Sequence, residues 1–173
     1  MLDGERKMEI IKTITLDIAG PGIILYSPFA AAHIAEGEDY LSTHYSVEEQ
    51  VQPHIQQGTL VGFGTSTPGT FTLNFLEGYP DERALDDAEY KLRLGIHVRD
   101  GVICVRDLFD LLEWSAECPP GQTLEMKDGF YHLTLHSDRP ASGILGDGQV
   151  ISLYLKELPA LPALSTQGVP TLC

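Results

Sequence analysis

Six histidines, His33, His44, His54, His97, His132 and His136, are the residues of this sequence best suited to hold a metal or move a proton. A metal site needs three or four ligands converging at about 2 Å from the ion. Only His132 and His136 are close in sequence, and on a strand they would share a face yet stand about 13 Å apart, too far for one ion. No His-x-His pair occurs, so two polar-face histidines on a half-exposed sheet are the simpler reading. Cys104, Cys118 and Cys173 are far apart in sequence and in no Cys-x-x-Cys arrangement, which fits reduced thiols rather than a disulfide framework or zinc knuckle. Cys104 lies in an apolar run with Val102, Ile103 and Val105 and reads as a small buried hydrophobe. The glycine-rich residues 62–69 lack the Lys and hydroxyl pair of a phosphate-binding loop and read as a connection between strands. Asp86, Asp87 and Glu89, or Glu36, Glu38 and Asp39, offer oxygen ligands to Ca²⁺ but without the alternating spacing of a calcium loop. There is no Gly-x-Ser-x-Gly elbow. The expectation is therefore no catalytic residue, no metal and no cofactor; the alternatives are a small metal-dependent hydrolase using His132 or His136 with loop carboxylates, or an interaction module with no charge-driven partner.

Charge supplies the more informative pattern. Eleven Lys and Arg against 25 Asp and Glu give a net charge of -14, which argues against nucleic acid or anionic lipid as a partner. Residues 13–82 contain no Lys or Arg, yet they hold Asp17, Glu36, Glu38, Asp39, Glu48, Glu49, Glu77, Asp81 and Glu82. Tyr26, Tyr40, Tyr45 and Tyr79 are interspersed. Carboxylates beside aromatic anchors suit a surface that receives a cationic protein, and the expected contact residues are Glu36, Glu38, Asp39, Tyr40, Tyr45, Glu48 and Glu49. Two plainer readings stay open: the charge keeps a small domain soluble, and the tyrosines are core.

The elements that must position these residues are mostly strands. At 173 residues, 43% hydrophobic, the chain suits one globular domain, expected over residues 1–158 with a proline- and leucine-rich tail over 159–173. Turn signals recur at Gly20-Pro21-Gly22, Thr67-Pro68-Gly69, Asp100-Gly101, Pro119-Pro120-Gly121, Asp128-Gly129 and Asp147-Gly148. Three hairpins are expected: residues 14–18 with 23–26, residues 92–98 with 102–105 across Asp100-Gly101, and residues 123–126 with 130–136 across Asp128-Gly129. Further strands are expected at 59–63, 70–76 and 150–155. Ser46 and Glu49 read as a capping box opening a helical segment that Pro53 should kink and Gly58 should stop. Residues 107–114 fit a helical turn or an irregular edge. The tail suits an extended segment docked by Leu161 and Leu164, or disorder. The fold class is thus all-β, an antiparallel two-sheet sandwich of about eight or nine strands with one short kinked helix.

Several pieces share a pattern with one family. Tyr45-Ser46-Val47-Glu48-Glu49 leads to Gly58-Thr59-Leu60-Val61-Gly62-Phe63; Tyr90-Lys91 runs into Ile96-His97-Val98-Arg99-Asp100-Gly101-Val102; and Gly129-Phe130-Tyr131-His132-Leu133-Thr134 follows near the end. In this order, over residues 10–156, the chain weakly resembles the small bacterial competence-linked inhibitors of a DNA-entry nuclease, an all-β, sandwich-like family. The resemblance implies a binding protein of inhibitor or immunity type rather than an enzyme. It agrees with the acidity, because a nuclease that grips phosphate presents a basic cleft. Residues 1–10 carry five charges where a signal peptide needs an apolar stretch, and no apolar run is long enough to span a bilayer. A cytoplasmic monomer or weak dimer is expected.

Overall fold

The computed structural model describes residues 10–164 and 168–172. The expectations for the charged start of the chain and for Cys173 lie outside the described residues. The strands are β1 Ile10–Ile18, β2 Gly22–Tyr26, β3 Val61–Gly64, β4 Gly69–Glu77, β5 Tyr90–Val98, β6 Val102–Asp107, β7 Thr123–Glu125, β8 Gly129–Ser137 and β9 Asp147–Leu158. They form two sheets, ordered β1-β4-β9-β8-β5 and β3-β2-β6-β7. The fold is mainly β, with short helices α1 Pro28–Ala31, α2 Tyr40–His44, α3 Glu48–Gln57 and α4 Glu82–Asp87. None of the described helices is long and apolar enough to cross a membrane.

Strand alternation explains the core. Ile14, Leu16 and Ile18 of β1, Phe71, Leu73 and Phe75 of β4, Leu133 and Leu135 of β8, and Ile151, Leu153 and Leu155 of β9 are all buried at period two. They join Ile23, Leu25, Phe63, Ile103, Val105 and Leu124 of the second sheet in one hydrophobic cluster. The opposite face of the first sheet carries Thr13, Thr15, Asp17, Lys91 and Arg93.

Pairing departs from expectation in two ways. β4 and β9 run parallel, with Leu73 opposite Ile151 and Phe75 opposite Leu153, so the first sheet is mixed rather than wholly antiparallel. None of the three expected hairpins forms. β1 pairs with β4 while β2 pairs with β3 and β6; β5 pairs with β8; β7 pairs with β6. Each turn instead carries the chain from one sheet to the other. Asp100 and Gly101 take the positive φ angles expected of them, 64° and 70°. The corner is fixed by side-chain bonds to other connections: Arg99 N–H donates to Ser27 Oγ, which donates to Val102 O, and Gly101 N–H donates to the Asp128 carboxylate of the neighbouring corner. At the first corner the Asp107 carboxylate accepts from Ala19 and Gly20.

The helical segment also differs. α3 is a single helix that includes Pro53, with Val51 and Ile55 buried on either side of it. One lost backbone bond is tolerated because both flanking turns are anchored in the core. Its start is shifted by one residue from the Ser46–Glu49 box. Gln50 supplies the reaching side chain, its Oε1 accepting from Ser46 N–H at 3.0 Å and Val47 N–H at 3.3 Å. Gly58 stops the helix at φ 65°.

The outer face of the second sheet is covered by residues 108–122, which open with a 3₁₀ turn, Leu108–Leu112. Under this cover lie Tyr26, Cys104 and Arg106, packed against the cover's own Trp114, all four buried. Arg106 donates to Tyr26 Oη, Ser115 O and Asp110 Oδ2 and lies over the Trp114 ring at 4.4 Å. Residues 161–162 pass over Gly95, and Leu172 is buried beside β3, where Gly64 pairs with Thr171.

Candidate partner-binding face

The seven expected contact residues fall within one stretch of chain, residues 36–49, that runs across α2 into α3. Its shape is set by carboxylates that cap their own surroundings. Asp39 caps α2, accepting from Ser42 N–H at 2.9 Å. Glu38 accepts from Ala35 N–H at 2.9 Å and lies 3.8 Å from the exposed His44 ring. Glu36 reaches across to the covering segment and accepts from Ala116 N–H at 2.7 Å. Two backbone bonds fasten the same contact: Gly37 N–H to Trp114 O and Trp114 N–H to Glu38 O. Glu48 and Glu49 occupy the first turn of α3, where negative charge is favoured by the helix dipole. Glu36, Asp39, Glu48 and Glu49 are exposed, and Glu38 is half-buried.

Tyr40 and Tyr45 stand elsewhere. Both are buried, at 6% and 2% exposure, so neither offers a ring to a partner. Tyr45 Oη donates to Leu60 O at 2.8 Å and accepts from Gly62 N–H at 3.1 Å, tying α2 to β3. Burial pushes its phenol up. The correction has a physical reason: a tyrosine at the end of a short helix reaches the core with its ring while its hydroxyl satisfies strand-end backbone.

Tyr40 is the centre of a hydrogen-bonded chain that the sequence did not announce. Its Oη lies 3.1 Å from His33 Nε2 and 3.0 Å from His54 Nε2, and His54 Nδ1 lies 2.7 Å from Thr59 Oγ1. Thr59 Oγ1 points to the His54 carbonyl as a donor. The partners assign the tautomers: His33 Nε2–H donates to Tyr40, Tyr40 donates to His54 Nε2, and His54 Nδ1–H donates to Thr59. Protonating His54 at Nε2 would break this order. Burial lowers its pKa to about 4, with the neighbouring His33 acting in the same direction. The Tyr40 phenol is raised, by burial first and then by Glu38. One sequence signal pointed here: Val51, His54, Ile55 and Gly58 follow i, i+3, i+4, i+7 spacing, which places His54 in the buried stripe of α3.

This arrangement predicts acid sensitivity with a definite sign. An unfolded histidine takes its proton near pH 6.5, while folded His54 does not until about pH 4. Protons therefore favour the unfolded chain, and stability falls as pH drops from 6.5 to 4. Because the ring is only part-buried, solvent screening holds the loss to about 1–2 kcal/mol. Urea unfolding of wild type and His54→Gln across this range should show the difference between them shrinking as pH falls. A constant difference would remove His54 as the cause.

The remaining histidines lie apart. His132 Nδ1 bonds Tyr79 Oη at 3.0 Å, His136 stacks on Tyr154 and His97 stacks on Phe130. Glu89 pairs with Arg139 at 3.4 Å. Among the described residues, no three His, Cys, Asp or Glu side chains gather as a metal site.

No protein-family model matches the sequence, and no curated protein sequence aligns with it. Two solved structures share its fold. ComJ from Bacillus subtilis, described as an inhibitor of the DNA-degrading activity of NucA, superposes with a TM-score of 0.52 over 88% of this chain and 99% of its own, at 12% identity. The protein described as crocagin biosynthetic gene J superposes with a TM-score of 0.53 over 83% of this chain and 96% of its own, at 11% identity. The weak resemblance carried by the strand motifs thus extends to three dimensions, and at these identities the likeness concerns the fold.

Proposed function

We propose that the chain is a non-catalytic, two-layer sandwich domain of inhibitor or immunity type, a cytoplasmic monomer or weak dimer, whose acidic face engages a basic protein such as a nuclease. The observation that carries the reading is the run of accessible carboxylates Glu36, Glu38, Asp39, Glu48 and Glu49 along residues 36–49, in a 70-residue stretch without Lys or Arg. Three of these carboxylates, Glu36, Glu38 and Asp39, are held by main-chain amides, and Glu48 and Glu49 sit on the first turn of α3, so the stretch is pre-organised and little ordering is needed on binding. ComJ, which shares the fold, is described as a nuclease inhibitor, and this supports the inhibitor type. Tyr40 and Tyr45, both buried, hold α2 to its neighbours instead of touching the partner.

Purified chain is expected to suppress DNA cleavage by a basic nuclease at near-stoichiometric amounts. Glu48→Lys with Glu49→Lys is the informative variant, because Glu36, Glu38 and Asp39 also hold backbone. At low ionic strength it should associate about tenfold more slowly than wild type, with a shallower dependence on salt, since exposed charges act within a Debye length of about 8 Å. Unchanged cleavage across a panel of basic nucleases would refute the inhibitor reading. Identical salt slopes would remove the start of α3 from the interface.

A further inference from the structure

The fold brings together two thiols that are 14 positions apart in sequence. Cys104, in β6, lies opposite Tyr26 of β2 and Thr123 of β7 and is buried. Cys118, in the covering segment, is half-buried and keeps a path to solvent. Its Sγ lies 3.7 Å from Gln122 O, the Gln122 side chain is bonded to Val105 O at 2.9 Å, and Val105 N–H faces the sulfur. Because Thr123, the neighbour of Gln122, pairs with Cys104, this lays Cys118 against β6 beside Cys104.

From this geometry we infer that Cys104 and Cys118 are a hydroperoxide-reactive pair, in which Cys118 is oxidised first and Cys104 resolves it to a disulfide. The electrostatics agree. Hydrogen bonding from Cys104 lowers the Cys118 thiol to about 7 against the opposition of burial, with the Arg106 cation and Val105 N–H adding to the stabilisation and Asp110 opposing it. Cys104 is raised, first by its bond to Cys118 and then by burial, and so stays a thiol. The Cys118 thiolate attacks one peroxide oxygen; the O–O bond breaks, an alcohol or water leaves with a proton, and Cys118 becomes a sulfenic acid. The Cys104 sulfur then attacks the Cys118 sulfur, the S–O bond breaks, and the departing hydroxide takes the Cys104 proton as water. Two thiols and one hydroperoxide give one disulfide, one alcohol or water, and one further water; the sulfurs lose two electrons and the peroxide gains them. The bond would staple residues 104–118, the segment whose Trp114 and Ala116 hold Gly37, Glu38 and Glu36.

The test is hydrogen peroxide on the full wild-type chain, quenched in a thiol-alkylating denaturant. Intact mass should show loss of two hydrogens, and peptide mapping should link Cys104 to Cys118. Before oxidation, Cys118 should alkylate about tenfold or more faster than Cys104 at pH 7, with a half-maximal rate near that pH. Cys104→Ala should leave a sulfenic acid on Cys118 that a cyclic 1,3-dione captures. A wild-type chain whose two thiols stay free at peroxide levels that oxidise free cysteine would overturn the inference, and so would a link from Cys118 to Cys173 in place of Cys104.

Discussion

Replacing Arg106 by alanine is expected to destabilise the protein by about 3–5 kcal/mol, the range for removing one member of a buried ionic network. The side chain is 5% exposed and makes four contacts at once: Nη1 to Tyr26 Oη at 3.1 Å and Ser115 O at 2.6 Å, Nε to Asp110 at 2.8 Å, and its plane over Trp114. Asp110 is 36% exposed and can return to water, so it contributes the smaller share of the loss. The Tyr26 hydroxyl has no such recourse and would stay buried without its donor. Arg106→Lys keeps the charge but not the fork or the stacking and should cost about half as much. Urea unfolding gives both numbers; an alanine variant within about 0.5 kcal/mol of wild type would mean that the segment over β6 is not held by this residue. Because that segment also anchors Glu36 and Glu38, the same variant should weaken partner binding beyond any effect of charge.

Gly58→Val should cost about 3–4 kcal/mol, from two sources that a control separates. The first is conformational: φ is 65°, a region that a β-branched residue strongly disfavours. The second is steric, since a Cβ would stand 2.8 Å from His97 N and 2.9 Å from Ile96 Cα, the backbone of β5. That approach is not slack, because His97 N–H donates to Gly58 O at 2.9 Å. Gly37, at φ 79° with open space where a Cβ would stand, supplies the control: Gly37→Val should cost only about 1–2 kcal/mol, the conformational part. Equal losses at the two positions would show that α3 can withdraw from β5 without penalty.

Strand positions were legible because alternation over a buried face is a local property: Ile14, Leu16 and Ile18 declare which side is wet whatever strand lies next to them. Partners were not legible. Asp100-Gly101 reverses the chain equally well within a sheet or between sheets, and the choice rests on Ser27 and Asp128, 73 and 28 residues away from it, which no local pattern connects. Helix α3 was half visible: Gly58 marked its end, but Gln50 proved the capping side chain and the core outweighed Pro53. At the candidate face, the carboxylates could be read from composition, whereas the burial of Tyr40 and Tyr45 depends on packing against β3 and on His33 and His54. The Cys104–Cys118 contact belongs to the same class of information, since it exists only once residues 108–122 fold back over β6.

The last long strand is also an interior one. β9 lies between β4 and β8, and its parallel pairing with β4 joins residues 69–77 to residues 147–158. During synthesis the first sheet therefore cannot close until residues 147–158 have been made. Until then β4 and β8 each present an open edge, and neither can template the other directly. Parallel, long-range pairing is slow to form, which leaves the nascent chain dependent on the second sheet, whose strands end by residue 125, as the part able to assemble first. The order of construction is thus written into the position of β9: a four-stranded platform first, then a five-stranded layer completed from its middle.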